Sequence, residues 1–540
     1  MLPRQTSRPL ALLAACALAI AALGASCKSS HKPTSAPPKT PSIRLYVIST
    51  LAGALEPCGC VKDMLGGIQH AAGYVDGKST DAPHSLVVGA GPMLFEDPHL
   101  DATSRVQDEY KAEALAASLH DMRMAAWAPG LNDWAAGAGK LAALARTAGA
   151  QLLAANLQGA KAGAAASTVK EVGGYKIGLA GVSAPAQAGQ LPDGVKASDP
   201  AVALNKALAA LDKQGVQVRV ALVALPRGQA LRLAERVKGL DVMVVGRPFD
   251  EGDGNNPPTP PVLVGGTLVV QGPNHLTGVA VVDLYVRGKS FDFQDGSGIE
   301  KAAVRQSLEE RIAELERRIS KWSKAGSTVK KFDLDARRAD LAQMKQKLAH
   351  LGRTKTPDKG SFFRYQLVPV KESLGANKAV TARMDSYYRR VNEHNRVAFK
   401  DKTPPPIPEG ESGYVGVDVC SSCHKAERKF WNTMAHAGAY AVLAKEHKQY
   451  NLDCVGCHVT GYNQPGGSTV THVDKLQNVQ CEVCHGPGSR HADNPANPDF
   501  IVKKPAKRLC ADKCHHPPHV GKHWDVNEAL THIIGPGHGA

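Results

Sequence analysis

The chain has 540 residues, 43% of them hydrophobic and 21% charged, with a formal net charge of +15 and 12 cysteines. That much apolar chain builds two or three cores, which excludes a single small domain and a wholly disordered polymer. The Lys and Arg residues are spread along the sequence rather than gathered in one block. This argues for a solvated basic surface and against a nucleic-acid-binding segment.

Residues 1–27 read as an export segment. Arg4 and Arg8 precede an apolar Ala/Leu run from Leu10 to Leu23, followed by small residues and Cys27. The run is too short and too Ala-rich for a transmembrane span. Cys27 and the Pro-rich tether 28–42 point to lipidation of that cysteine, as in a bacterial lipoprotein. Ordinary signal cleavage is the alternative, because Leu23 lies one residue further from the cysteine than usual. The protein is expected outside the cytoplasm, in the periplasm or lipid-anchored at the outer membrane.

Residues 43–298 alternate β-branched runs with amphipathic helical patterns. Strands are expected at 43–50, 85–89, 151–155, 175–182, 216–225, 240–245, 267–271 and 278–286, and helices at 104–120, 140–148, 201–213 and 229–237. Such alternation predicts an α/β sandwich. Glu56-Pro57-Cys58-Gly59-Cys60 carries a close cysteine pair, read as a redox or metal-binding pair, with a small-loop disulfide or structural thiols as alternatives.

Residues 299–352 turn to Glu, Arg, Lys, Leu and Ala. Val304, Leu308, Ile312, Leu315, Ile319 and Trp322 recur at spacings of three and four, and Leu334, Leu341, Met344, Leu348 and Leu351 continue the pattern after Gly326. This predicts an antiparallel helical hairpin. Residues 353–400, with a strand at 364–371 and a helix at 379–395, close the first domain. The Pro-rich stretch 401–413 is a linker.

The last stretch, 414–540, carries the densest chemistry. Cys420-Ser-Ser-Cys423-His424, Cys454-Val-Gly-Cys457-His458 and Cys481-Glu-Val-Cys484-His485 are three C-x-x-C-H pentapeptides, and Cys510-Ala-Asp-Lys-Cys514-His515 adds a fourth with one extra residue. In this pattern two thiols bond covalently to a porphyrin and the following His binds its iron. About four haem c groups are therefore expected, with Cys510–His515 a haem site or else a disulfide or an unoccupied pair. A zinc reading of the eight cysteines leaves the His after every second Cys unexplained. The stretch from Gly416 onward holds 13 of the 21 histidines, and Met434 is its only methionine. Beyond the four in the motifs, His436, His447, His472, His491, His516, His519, His523, His532 and His538 remain as sixth-ligand candidates, so bis-histidine iron of low potential is expected.

Two resemblances attach to these residues. Phe430-Trp431 through His436, Cys454 through Tyr462, and Gln480 through His491 together resemble the tetrahaem cytochromes of the nitrification type, across residues 412–540. The resemblance implies that His436 and His491 ligate iron; for the remaining irons His519 and His538 are preferred over His523 and His532. Ile48–Glu56, Leu65–Ile68, Val88–Pro92, Pro129–Asp133, Leu152–Leu157, Tyr175–Val182 and Leu240–Arg247 resemble the metallophosphoesterase domain of 5′-nucleotidase-type enzymes. The expected fold class is thus α/β: a metallophosphoesterase-like αββα sandwich with a helical hairpin insertion and a small, mostly α and irregular multihaem domain. Where that family carries its metal ligands, this chain has Thr50, Ala52, Pro92, Leu131, Arg227, Arg247 and Phe249, which cannot build a dinuclear site.

The expected function is electron transfer between redox partner proteins or other cytochromes, with the first domain an inactive scaffold. The alternatives are a haem-dependent reductase of a small nitrogen or sulfur compound and a metal-dependent phosphoesterase with an appended cytochrome.

Overall fold

In the strand Ile43–Ser49, alternate side chains serve two different cores. Leu45 and Val47 face one apolar cluster while Tyr46 and Ile48 face another, as the two-residue repeat of an extended chain requires. The same split recurs in its neighbours and sets the layering of the N-terminal region.

The computed structural model describes residues 40–57, 64–159, 163–183, 194–250, 254–323, 331–351, 357–516 and 524–536. All of these lie in one compact unit, Thr40–Ala540. A seven-stranded sheet runs in the order Gln294–Asp295, Phe362–Pro369, Gly278–Tyr285, Ile43–Ser49, Ser85–Gly91, Met124–Pro129 and Gln151–Leu152. The four strands from Ile43–Ser49 to Gln151–Leu152 are parallel, and Gly278–Tyr285 joins them antiparallel. A six-stranded sheet runs Val262–Val264, Thr267–Val270, Val242–Gly246, Val218–Ala224, Tyr175–Ser183 and Ser167–Val172. Its edge strands are antiparallel and its interior parallel.

Ile43, Leu45, Val88, Val218, Val220 and Val244 lie in the layer between the sheets. The outer face of the first sheet is covered by helices Ile68–Gly77, Arg105–Asp121, Ala138–Ala148 and Lys378–Ala398. Helices Pro200–Asp212 and Arg227–Arg236 cover the second. This is a four-layer αββα sandwich. The sheets touch where Gly91 meets Gly246: a Cβ on Gly246 would lie 1.9 Å from the Ala90 carbonyl oxygen.

Helices Ile299–Trp322 and Lys331–His350 pack side by side, tied by Lys345 to Glu316 at 2.7 Å. Leu308 and Ile312 are buried, whereas Phe332 stands 82% exposed. Among the described residues, no helix is long and apolar enough to cross a membrane.

From Val417 onward the helices are short, from Val417–Cys420 to Val526–Thr531. The segment 402–413 lies along this region. Lys402, Pro405 and Gly410 carbonyls accept from the Thr469 hydroxyl, the Gly466 amide and the Arg490 guanidinium, and Gly413 pairs with Ser489.

Candidate functional site

Each Cys-His motif sits on a single short helical turn, which places its first cysteine and its histidine on neighbouring faces. In the first, Cys420 ends helix Val417–Cys420 and the His424 amide donates to the Cys420 carbonyl at 3.0 Å. In the second, the buried Asn451 caps Leu452–Val455 by accepting from the Asp453 amide at 2.8 Å. The third is helix Cys481–His485. The fourth begins in Arg508–Lys513 and absorbs its extra residue in a last turn, where the His515 amide donates to the Cys510 carbonyl at 2.8 Å.

The residues between and beside the cysteines are framework. Glu482 is buried, and its carboxylate accepts from the Val415, Gly416 and Gly488 amides at 3.0, 2.8 and 2.8 Å. Gln480 accepts from the Val417 amide and donates to the Lys475 and Gln477 carbonyls, each at 2.7 Å. The third motif is thereby fastened to the chain leading into the first.

The four motifs form one cluster. The Cys420 thiol donates to the Gly416 carbonyl at 3.6 Å, and its neighbour Cys481 is the easier of the two to ionise. The Cys457 thiol donates to the Lys513 carbonyl at 3.6 Å, and the adjacent Cys514 lowers its pKa. Burial pushes Cys484 up to about 11, with Cys510 the next contributor. The first motif thus adjoins the third, the second adjoins the fourth, and the third and fourth are neighbours.

The histidines have a geometry suited to iron. The His424 and His491 ring centroids are 6.4 Å apart, and those of His436 and His515 are 6.3 Å apart. A metal bonded at about 2 Å to a nitrogen of each ring fits such a gap. His491 Nδ1 is buried with no hydrogen-bond partner among the described residues, leaving a nitrogen for a metal. Burial, and then the neighbouring His515, lowers the pKa of His436, which favours the neutral ligand form. His458 Nδ1 pairs with the Ala439 carbonyl and His485 Nδ1 with the Val502 carbonyl, both at 2.6 Å, which orients each Nε2 outward. Trp524 stacks on His515 with centroids 5.0 Å apart. These donors fit haem iron. Among the described residues, no three Cys, His, Asp or Glu side chains gather as a zinc site requires.

Other candidates are placed differently. His472 Nδ1 lies between the Thr471 and Thr469 hydroxyls at 3.2 and 3.4 Å, and His532 is exposed. Cys27, Cys58, Cys60, His519, His523 and His538 lie outside the described residues.

At the carboxyl ends of the sandwich strands, the polar side chains turn to the backbone. Thr50 Oγ1 donates to the Arg247 carbonyl at 2.9 Å, and the Asn132 amide donates to the Glu96 and Phe249 carbonyls. The buried Asp133 carboxylate accepts from the Met93, Leu94 and Gly130 amides and the Trp127 indole. Burial nevertheless pushes Asp133 up to about 6.

Sequence reasoning misses the seam joining the two regions. Gln107 and Lys111 on helix Arg105–Asp121 reach Asn451 and Asp453 beside the second motif, and Glu56 binds Lys448 and the Tyr388 hydroxyl. Polar residues on an amphipathic helix carry no sequence mark that separates a seam from a solvated face.

The family described as cytochrome c554 and c-prime matches residues 419–486. Cytochrome c-554 of Nitrosomonas europaea is 42% identical over 94 residues, which is 14% of this chain and 40% of that protein, so the match spans well under half of that relative's length. The sandwich is similar to a 5′-nucleotidase precursor from Thermus thermophilus, at 17% identity and a TM-score of 0.45, over 68% of this chain and 61% of that one. It is also similar to the calcineurin-like phosphoesterase YfkN from Bacillus subtilis, at 13% identity and a TM-score of 0.43, over 64% of this chain and 97% of that one. The motif-bearing stretch at residues 419–486 is thus of the cytochrome c554 type, a family that implies covalently bound haem c, and it stands beside the αββα sandwich.

Proposed function

We propose that this protein is an exported electron carrier holding four haem c groups, and that its sandwich is a frame rather than a catalyst. The observation that carries the reading is the crowding of four Cys-His motifs into one cluster, with histidine rings facing each other at 6.3 and 6.4 Å. Each haem, when bound, supplies a one-electron iron couple whose potential follows its ligands and surroundings. The chain's own part is to fix and shield these groups. Cys420 and Cys423, Cys454 and Cys457, Cys481 and Cys484, and Cys510 and Cys514 are the thioether positions, and His424, His458, His485 and His515 the proximal ligands. His491 serves the first motif and His436 the fourth. His519 and His538 are assigned to the other two.

The sandwich reading rests on residue chemistry. Thr50, Ala52, Pro92 and Phe249 offer no metal ligands, and Asn132 and Asp133 are engaged with backbone groups. Export rests on the pattern from Arg4 to Cys27, with Cys27 the lipid-bearing residue of the mature chain, and redox proteins as partners.

His491→Ala and His436→Ala, made separately in the full chain, test the assignment. Each is expected to leave the covalent haem content intact while converting one low-spin haem to high-spin by electron paramagnetic resonance. Unchanged spectra in both variants would overturn the axial pairs. Turnover of a nucleotide ester on addition of Mn²⁺ would overturn the frame reading.

A further inference from the structure

Among the described residues, the second motif is the one whose capping turn hydrogen-bonds to the sandwich. Gln107, 1% exposed, is at the centre of the grip. Its carbonyl oxygen accepts from the Leu452 amide at 2.9 Å and from the Asn395 side chain at 3.0 Å. Its amide nitrogen donates to Asp453 at 3.0 Å and to Asn451 at 3.4 Å. Asn395 reaches on to the Tyr450 carbonyl at 2.8 Å. One turn further along the same helix, the Lys111 ammonium meets the other Asp453 carboxylate oxygen at 2.7 Å, with its side chain only 16% exposed. Asp453 immediately precedes Cys454. On the far side of the turn, Lys448 binds Glu56 and lies 4.4 Å from the centre of the Tyr388 ring.

Gln107 fixes the cap of the turn that presents Cys454, Cys457 and His458, whereas Lys111 places a fixed positive charge beside it. In a half-buried seam such a charge is screened far less than one in open solvent. Ferric haem carries one more positive charge than ferrous haem, so a nearby cation favours the reduced state and a nearby carboxylate the oxidised state. The Lys111–Asp453 pair balances these two effects, and the sandwich supplies the positive half.

We propose that the sandwich sets the redox potential of the haem on the second motif, with Lys111 as the positioning residue that acts through Asp453. This rests on the electron-carrier reading above. It gives a fold without metal ligands a reason to be joined to a cytochrome: the frame tunes one member of the relay and leaves the others to their own surroundings.

The test is a spectroelectrochemical titration of the intact haem-loaded protein and of Lys111→Met, Lys111→Arg and Asp453→Asn, with covalent haem counted on each sample. Lys111→Met should shift one titration step to lower potential and Asp453→Asn should shift that step to higher potential. Lys111→Arg, which keeps the charge, should leave it near the parent value. A purely structural role would not give shifts of opposite sign. Steps that stay in place in both charge-removing variants, or that move in the same direction, overturn the proposal. Absence of covalent haem from the parent protein would instead overturn the electron-carrier reading, and the haem count separates the two results.

Discussion

In the N-terminal sandwich, three clusters of buried apolar side chains fill the layers between and outside two sheets. In the C-terminal region, among the described residues, Tyr440, Val455, Val459 and Val473 form a small buried apolar cluster with Tyr462 packed against it. The first region folds as ordinary α/β chains do, by burying apolar area at about 25 cal/mol per Å². Among the described residues the second buries a smaller apolar cluster, so on the proposed reading covalently held haem would supply much of its order, as in other small domains stapled by a bound group. The larger region has side chains turned inward on the backbone, and the smaller has thiols and imidazoles turned toward one another.

Withholding haem attachment should separate the two regions most strongly. In cells lacking that machinery, limited proteolysis is expected to remove the chain beyond about residue 400. A fragment containing the sandwich should survive. Equal protection of both halves would show that the C-terminal region has a sufficient core of its own.

Damage to the sandwich should run the other way. Any side chain larger than hydrogen at Gly246 would drive its Cβ into the Ala90 carbonyl. Gly246→Val is expected to destabilise the sandwich by more than about 3 kcal/mol, measured by denaturant unfolding, with the ferric haem spectrum unchanged before the transition.

Within the C-terminal region, Glu482→Ala leaves three backbone amides without their carboxylate. A loss on the order of 3 kcal/mol is expected, read as faster amide exchange at Val415, Gly416 and Gly488. Parent-like exchange would show that the third motif is held otherwise.

An effect of similar size, spread over pH, concerns Asp133, whose carboxyl is raised from the ordinary 3.8 to about 6 by burial. A raised folded-state value favours the protonated form. Its contribution is full below about pH 4, declines as the pH rises toward 6, and is gone above that. The sandwich should therefore lose on the order of 3 kcal/mol between about pH 4 and 6.5, read as a falling melting temperature. A melting temperature that rises over this window in the parent but not in Asp133→Ala would reverse the sign.

The strands legible in the sequence are those with β-branched alternation. Residues 43–50 and 278–286 are expected from it, against the observed Ile43–Ser49 and Gly278–Tyr285. Met124–Pro129 escapes such reading, because Met-Ala-Ala-Trp-Ala-Pro has no strand preference of its own. Its six buried residues are extended because it lies between parallel neighbours with both faces covered. Helix Ile68–Gly77 escapes it too; it begins after Gly67 without a side-chain cap. In the site, the contiguous Cys-His motifs can be read directly, since spacing is their chemistry. The facing of His424 by His491 and of His515 by His436 cannot, because it depends on how distant short turns stack. The seam at Gln107 and Lys111 is equally silent in sequence.

The most direct measurement of the central claim is the number of covalently bound haems per mature chain, from intact mass together with a pyridine haemochrome spectrum. Four haems are expected, including one at Cys510–Cys514 despite its extra residue. A chain carrying none, when made with the attachment machinery present, would contradict the account and return the eight cysteines to other chemistry.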